Sequence, residues 1–245
     1  MKLIEGDCLE EMKNIDDNSI DLLFCDLPYG QTKCTWDSLI DLELFWKQVN
    51  RICKDTTPMF FTCSTKFGVY LINSNPKNFR YDLVWVKSAS CGFLNAKKMP
   101  MKKHEMIYVF YRKLPYYDLS SHKSLKEDLN YKVIDGNSLY GNEKEKKRFL
   151  DKNGKISLND TRYDPSLPNT ILEVKSEKGK HATQKPTELI KWILKYYSKE
   201  GDVVLDPTMG SGSTGVACKD MNRDFIGIEL NNEIFKIAQE RLCDI

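Results

Sequence analysis

The sequence predicts an α/β fold, a parallel sheet with helices on both faces, interrupted by a small inserted lobe. Three observations predict it. Short apolar runs rich in β-branched and aromatic residues alternate with segments of helical period towards both ends of the chain. The stretch from about residue 115 to 180 lacks that rhythm. With 245 residues, 41% of them hydrophobic, the chain is long enough for one well-buried core or two small ones.

The elements follow in order. Met1 to Asp7 reads as a strand start, and Leu22–Cys25, Met59–Cys63, Tyr81–Val86 and Met106–Phe110 read as buried strands. Between the first two of these, Leu39, Leu42, Phe45, Trp46, Val49 and Ile52 recur at helical spacing; after the second, Phe67, Val69, Tyr70, Leu71 and Ile72 form a helix that stops near Pro76. At the far end Val203–Leu205 is a strand, Ser213–Met221 a helix, Phe225–Ile228 a strand, and Asn231–Leu242 a helix capped by Asn231 or Asn232. Pro186 stands where another helix begins, with Leu189, Ile190, Ile193 and Leu194 as its apolar face. Asp135-Gly136-Asn137, Asn153-Gly154 and Asp164-Pro165 punctuate the middle as turns. The expected division is therefore 1–112 and 181–245 as two halves of one core, with 113–180 inserted.

No run approaches the roughly 18 to 20 apolar residues of a membrane span, so a soluble cytoplasmic protein is expected. The eight cysteines include no C-x-x-C pair, and His104, His122 and His181 lie too far apart for a zinc half-site. Reduced thiols and no metal are expected.

The net charge of +2 hides an uneven distribution. Residues 97 to 155 carry 15 basic against 8 acidic side chains, whereas both flanks are slightly acidic. The same stretch and its borders hold Tyr108, Tyr111, Tyr116, Tyr117, Tyr131, Tyr140 and Phe149, and cations mixed with stacking rings suit a phosphate backbone and unpaired bases. On charge alone, a solvated helix through Glu143–Arg148 reads equally well.

Two strand ends carry candidate chemistry. Gly210-Ser211-Gly212-Ser213-Thr214-Gly215 is a G-x-G-x-x-G turn between strand and helix, with Glu229 ending the next strand, a combination suited to an adenosine-containing ligand whose ribose hydroxyls the carboxylate can bind. Asp206, just before Pro207-Thr208-Met209, would repel a pyrophosphate and attract a cationic ligand end such as the amino group of S-adenosylmethionine. The glycine pattern by itself leaves a nicotinamide or flavin cofactor open. At the end of the Leu22 strand stands Asp26-Leu27-Pro28-Tyr29-Gly30. The Asp26 carboxylate and the Leu27 carbonyl can each accept an N–H from an exocyclic amine, drawing its delocalised lone pair towards a methyl donor. Pro28 fixes the backbone, and Tyr29 offers a ring for an extruded base.

This pairing resembles the amino-methylating (N6-adenine/N4-cytosine) DNA methyltransferases, with their D-P-P-Y and F-x-G-x-G motifs. His181-Ala182-Thr183-Gln184-Lys185-Pro186 is similar to the family's H-P-T-Q-K-P segment, and Gly6-Asp7-Cys8 to its adenine-side loop. The order, catalytic motif before cofactor motif, is the permuted β-class arrangement. The resemblance implies a Rossmann-like S-adenosylmethionine-dependent sheet with a small target-recognition lobe, acting on double-stranded DNA. It implies cofactor contacts from Asp7, Cys8, His181, Thr183, Gln184, Lys185, Asp206, Pro207, Thr208, Met209, the Gly210–Thr214 turn, Glu229 and Leu230. Phosphate contacts are expected from Lys97, Lys98, Lys102, Lys103, Arg112 and Lys113, and a homodimer is a form the family often takes. Leu27, Thr208 and Ala182 depart from the family's proline, phenylalanine and proline, but none removes a proposed catalytic group.

His104 and Glu105 are read as making local structural hydrogen bonds. Cys25 and Cys34 are read as non-nucleophilic, since no Pro-Cys pair of the carbon-5 cytosine type is present. Adenine N6 is favoured over the alternative, cytosine N4, because a leading aspartate is commoner in adenine enzymes of the family, whereas the cytosine-N4 enzymes often carry serine there. A DNA-binding regulator without activity, a nicotinamide oxidoreductase, and the same chemistry on RNA or a protein glutamine are the rival readings.

Overall fold

The computed structural model describes residues 1–28, 39–124, 163–177 and 184–243, and the backbone of 131–133 and 147–149. In chain order the elements are β1 (Lys2–Glu5), α1 (Cys8–Glu11), β2 (Leu22–Cys25), α2 (Leu42–Ile52), β3 (Met59–Cys63), α3 (Thr65–Ser74), β4 (Phe79–Cys91), β5 (Lys102–Phe110), β6 (Lys123–Ser124), β7 (Tyr131–Val133), β8 (Lys147–Phe149), β9 (Tyr163–Asp164), β10 (Ile171–Glu173), α4 (Thr187–Tyr197), β11 (Val203–Asp206), α5 (Ser213–Asp220), β12 (Asp224–Glu229) and α6 (Asn232–Cys243). Among the described residues no helix is long and apolar enough to cross a membrane.

Two compact units result. The first, Met1–Tyr117 with Thr170–Ile245, contains an eight-stranded sheet in the order β1-β12-β11-β2-β3-β5-β4-β10. All neighbours in it are parallel except where β5 meets β3 and β4. The fully parallel sheet read from the sequence is therefore corrected at this strand. About ten residues join β4 to β5, fewer than the dozen or more a helical crossover takes, so the chain returns as a hairpin. The second unit, Asp118–Asn169, pairs β6 with β9 and β7 with β8, both antiparallel. This unit lies within the expected 113–180 insertion, and Ile171–Glu173, later in the same stretch, joins the sheet beside Val84–Val86. The Asp135 and Asn153 turns, the Glu143–Arg148 side chains and Cys34 lie outside the described residues.

Local chemistry explains the helices. Asp41 caps α2 by accepting from the Glu43 and Leu44 amides at 2.9 and 3.1 Å, and Leu42, Phe45, Trp46, Val49 and Ile52 form its buried stripe. Leu39, expected on that stripe, precedes the cap and is exposed. Phe45, Trp46, Phe61 and Phe110 then meet at edge-on or tilted angles with ring centroids 5.3 to 6.1 Å apart, the spacing aromatic quadrupoles favour. Asn231 caps α6 through the Ile234 amide at 3.0 Å. Pro186 opens α4 as expected but offers no cap; Glu177, ten residues earlier, accepts from the Thr187 amide at 2.8 Å instead.

From β2 the chain proceeds through β3 to one side of the sheet, and from β11 through β12 to the other. The order reverses between β2 and β11, and their C-terminal ends open a crevice of the kind in which α/β proteins bind ligands.

Candidate active site

Asp26 leaves β2 at that crevice, and Asp206 ends β11 beside it. The two loops are joined through Thr208, whose Oγ1 donates to the Asp26 main-chain oxygen at 3.2 Å and lies 3.4 Å from Cys25 Sγ. Threonine where the resembling family has phenylalanine thus makes a polar link between the two motifs. Burial pushes the Cys25 thiol well up, which keeps it protonated and agrees with its reading as non-nucleophilic.

The Asp26 carboxylate is fixed at both oxygens. Thr62, near the end of β3, donates to Oδ1 at 2.6 Å, and Lys185 Nζ donates to Oδ2 at 2.5 Å. Lys185 also lies 3.3 Å from Glu105 on β5, which in turn pairs with Lys87 on β4 at 2.5 Å. Burial pulls the Lys185 ammonium down, but Asp26 and Glu105 outweigh it and hold it above the ordinary lysine range. Burial likewise pushes Glu105 up, and Lys185 with Lys87 more than reverses that. Cations and carboxylates therefore alternate over Lys87, Glu105, Lys185 and Asp26. Glu105, read from the sequence as locally bonded, is instead tied to a residue 80 positions away, and Thr62 and Lys87 escaped the sequence reading altogether. Thr62 stands at a strand end, but only the pairing of β3 with β2 brings it beside Asp26.

On the other side of the crevice the glycine turn runs over β12. Met209 N donates to Ile228 O at 2.9 Å, and Gly212 turns into α5 at φ +80°, a left-handed conformation that favours glycine. Gly227 has no Cβ because one would sit 2.3 Å from Met209 Sδ and 2.6 Å from the Phe225 ring. Arg241 of α6 braces the turn by donating to Ser211 O at 3.1 Å and Ser213 Oγ at 3.2 Å. Ser211 Oγ reaches Gln184 Oε1 at 3.5 Å, and Gln184 donates to Glu177 at 3.4 Å, so the cap of α4 and the turn share one polar chain.

The carboxylates around the turn are already ordered. Asp206 is buried; Thr214 Oγ1 donates to its Oδ2 at 2.5 Å and the Thr208 amide to Oδ1 at 3.2 Å. Burial nevertheless pushes its carboxyl up to about 7. A buried carboxyl so placed gains from a cationic ligand end, the property inferred from its position. Glu229 accepts from Gly210 N at 3.0 Å and Asn231 N at 2.8 Å, and Leu230 beside it is exposed. Asp7 caps α1 through the Leu9 amide at 2.8 Å, and Cys8 is buried beneath. These residues fit a nucleoside with a cationic tail: open backbone at Gly210, a carboxylate at each flank, and a buried acid at the turn. Pro28 and Leu27 lie at the end of the Asp26 segment, whereas Tyr29, His181 and Thr183 lie outside the described residues.

The six cations expected at phosphates do not share a surface. Lys97, Lys98, Lys102 and Lys103 are exposed on the β4–β5 hairpin, at the end of the sheet that carries Asp26. Arg112 and Lys113 follow the other end of β5, about 30 Å away at roughly 3.3 Å per residue. There Arg112 donates to Asn50 O at 2.9 Å and to Cys53 O, and Lys113 pairs with Asp55 at 2.7 Å. Both residues are thus engaged at the C-terminal end of α2, away from the hairpin lysines. Charge counting could not tell one end of a strand from the other.

A family model described as DNA methylase, for N6- and N4-methylating enzymes, matches residues 20–240, and the chain belongs to that family. It is similar to the type II methyltransferase M.HinfI of Haemophilus influenzae, with 28% identity over 272 aligned positions that cover 99% of this chain and 68% of that protein. It is also similar to the DNA adenine methyltransferase YhdJ of Escherichia coli K12, with 29% identity over 98% of this chain and 82% of that one. Among solved structures it shares its fold with the M1.HpyAVI–SAM complex at a TM-score of 0.64 and 24% identity, covering 98% and 99% of the two chains. The cytosine-N4-specific PvuII DNA methyltransferase gives 0.69 at 16% identity, covering 98% and 85%.

Proposed function

We propose that this DNA methylase transfers a methyl group from S-adenosylmethionine to the exocyclic N6 of an adenine extruded from double-stranded DNA. The observation that carries the proposal is the Asp26 carboxylate, fixed at the switch point by Thr62 and Lys185, on a residue whose main-chain oxygen is linked through Thr208 to the glycine turn. The cofactor supplies an activated methyl group. In this reading Asp206 receives its cationic amino end, Glu229 its ribose, Asp7 and Leu230 its adenine, and Gln184 lies towards its methionine end with His181 and Thr183. Asp26 and the Leu27 carbonyl accept the two N–H groups of the target amine, orient its lone pair, and draw off positive charge as the nitrogen is alkylated. The amine becomes acidic as it is methylated, so no strong base is needed. Tyr29 stacks on the extruded base, and the hairpin lysines meet the phosphates.

Adenine is supported by the aspartate that leads the motif and by the adenine specificity in the name of the YhdJ relative. Adenine and cytosine amines offer the same two donors, so the site chemistry suits both. Mass spectrometry of nucleosides from duplex DNA incubated with the protein and S-adenosylmethionine tests the proposal. N6-methyladenine is expected; N4-methylcytosine would move the activity to the other base, and the absence of any methylated base would overturn it.

A further inference from the structure

The buried charges behind Asp26 are more than a methyl-transfer carboxylate needs for its own solubility. Lys185 and Glu105 have side chains only 11% and 12% exposed, yet both are ionic, and each is held by residues from separate parts of the chain. Such clusters are a poor source of stability, because well-packed apolar side chains of the same volume usually serve as well or better. Their retention at the tip of β2 calls for another reason.

Geometry supplies one. A lysine carries its ammonium on a flexible four-carbon stem, and a single acceptor does not fix such a group. Lys185 has two, Asp26 Oδ2 at 2.5 Å and Glu105 Oε1 at 3.3 Å, and the second acceptor is itself anchored by Lys87 at 2.5 Å across the β4–β5 pair. Electrostatics supplies another. Positive charge grows on the target amine during transfer, and an ammonium facing Asp26 alone would cancel the negative charge that stabilises it. Sharing that ammonium with Glu105 leaves more of the Asp26 charge for the substrate.

We infer that Glu105, braced by Lys87, is a positioning residue for methyl transfer: it holds the Lys185 ammonium in place and divides its charge, so that the Asp26 carboxylate stays oriented and negative towards the incoming amine. The inference rests on the assignment of Asp26 to the target amine. Glu105 acts through Lys185, the residue that contacts Asp26.

The test compares Glu105→Gln with Glu105→Asp. Glutamine keeps the volume and loses the charge; aspartate keeps the charge and loses a methylene. Single-turnover transfer by Glu105→Gln is expected to fall about 10- to 100-fold, the scale on which misplacement of a reacting group is felt. Its affinities for S-adenosylmethionine, by calorimetry, and for duplex DNA, by fluorescence anisotropy, should stay within about twofold of wild type. Glu105→Asp should recover much of the lost rate. A packing role predicts the reverse order, with glutamine active and aspartate impaired, and that result would overturn the inference. If Glu105→Gln does not fold, Lys87→Met is the second variant: it leaves the Glu105–Lys185 pair in place and should lose rate about 3- to 10-fold with binding intact, whereas a wild-type rate would overturn the brace. An Asp26→Ala protein measured alongside separates the two levels. If it is inactive while Glu105→Gln is fully active, only the inference falls; if it transfers methyl at the wild-type rate, the assignment of Asp26 falls as well.

Discussion

Lys185 Nζ stands 2.5 Å from Asp26 Oδ2 although 159 residues separate the two in the chain. The contact joins the loop before α4 to the end of β2, which the permuted order of the chain places far apart in sequence and side by side in space. It also ties Lys185, grouped by its sequence motif with the cofactor residues, to the Asp26 carboxylate. Lys185 reaches the crevice because Glu177 caps the helix that follows it, and Gln184 next to it is tied to the glycine turn through Ser211.

The cap gives a first prediction. Glu177→Ala removes the acceptor of the Thr187 amide at the start of α4, where Pro186 supplies none. A missing cap costs about 1 kcal/mol, and for a chain of this size that lowers Tm by about 2 to 4 °C. Calorimetric melting of the ligand-free protein checks it, and an unchanged Tm would show that α4 does not depend on this cap.

Asp206 should make ligand-free stability depend on pH. Its carboxyl titrates near 7 in the folded chain, chiefly through burial, against an ordinary value of 3.8. A folded value above the unfolded one means that the acid form is favoured by folding. The stabilisation is fully present below about pH 4 and is lost as the pH rises through about 7, a contribution on the order of a few kcal/mol. Asp206→Asn should flatten that part of the Tm-against-pH curve. In the wild type, affinity for S-adenosylmethionine should instead strengthen as the pH rises through 7 and the carboxylate forms, and the asparagine variant should bind more weakly with little pH dependence.

Gly212 adopts φ +80° at the entry to α5, and a Cβ there would meet Leu242 at 3.0 Å. Gly212→Ala is expected to cost about 1 to 2 kcal/mol from the left-handed backbone alone. That corresponds to a fall in Tm of about 2 to 8 °C. Because the turn is the proposed cofactor cradle, the same variant should bind S-adenosylmethionine more weakly. Melting and titration on one preparation check both.

The two groups of cations should separate cleanly. Alanine at Lys97, Lys98, Lys102 and Lys103 is expected to weaken duplex binding and to reduce the slope of log affinity against log salt by about 0.9 for each phosphate no longer neutralised, with Tm unchanged. Arg112→Ala should leave that slope alone and lower Tm, because it strips the hydrogen bonds at the Asn50 and Cys53 carbonyls. Anisotropy titrations at several salt concentrations, with parallel melts, distinguish the outcomes.

What the sequence makes legible follows from what has a local signal. Asp26 and Asp206 follow apolar strands, and strand ends are where α/β sheets present side chains, so both stood out. The glycine turn did too, since Gly212 needs a backbone that few other residues adopt. Contacts across the sheet carry no such signal: Thr62, Lys87 and Glu105 become partners of the Asp26 site only once β3, β5 and β4 lie side by side. The reversal of β5 was hidden because apolar runs look alike in either direction, and β10 because three residues are too few to show a period. Arg112 and Lys113 were grouped with the hairpin lysines for a related reason: the sign of a charge does not say which end of a strand it follows.

The most direct test of the central claim measures methyl transfer and cofactor binding on the same two proteins, wild type and Asp26→Ala. The arrangement of the site predicts that Asp26→Ala binds S-adenosylmethionine within about twofold of wild type, because Asp206, Glu229 and the glycine turn are untouched. Transfer to duplex DNA should fall by about 100-fold or more, the cost of removing a group that stabilises developing charge. Transfer at the wild-type rate by Asp26→Ala would contradict the role given to that carboxylate.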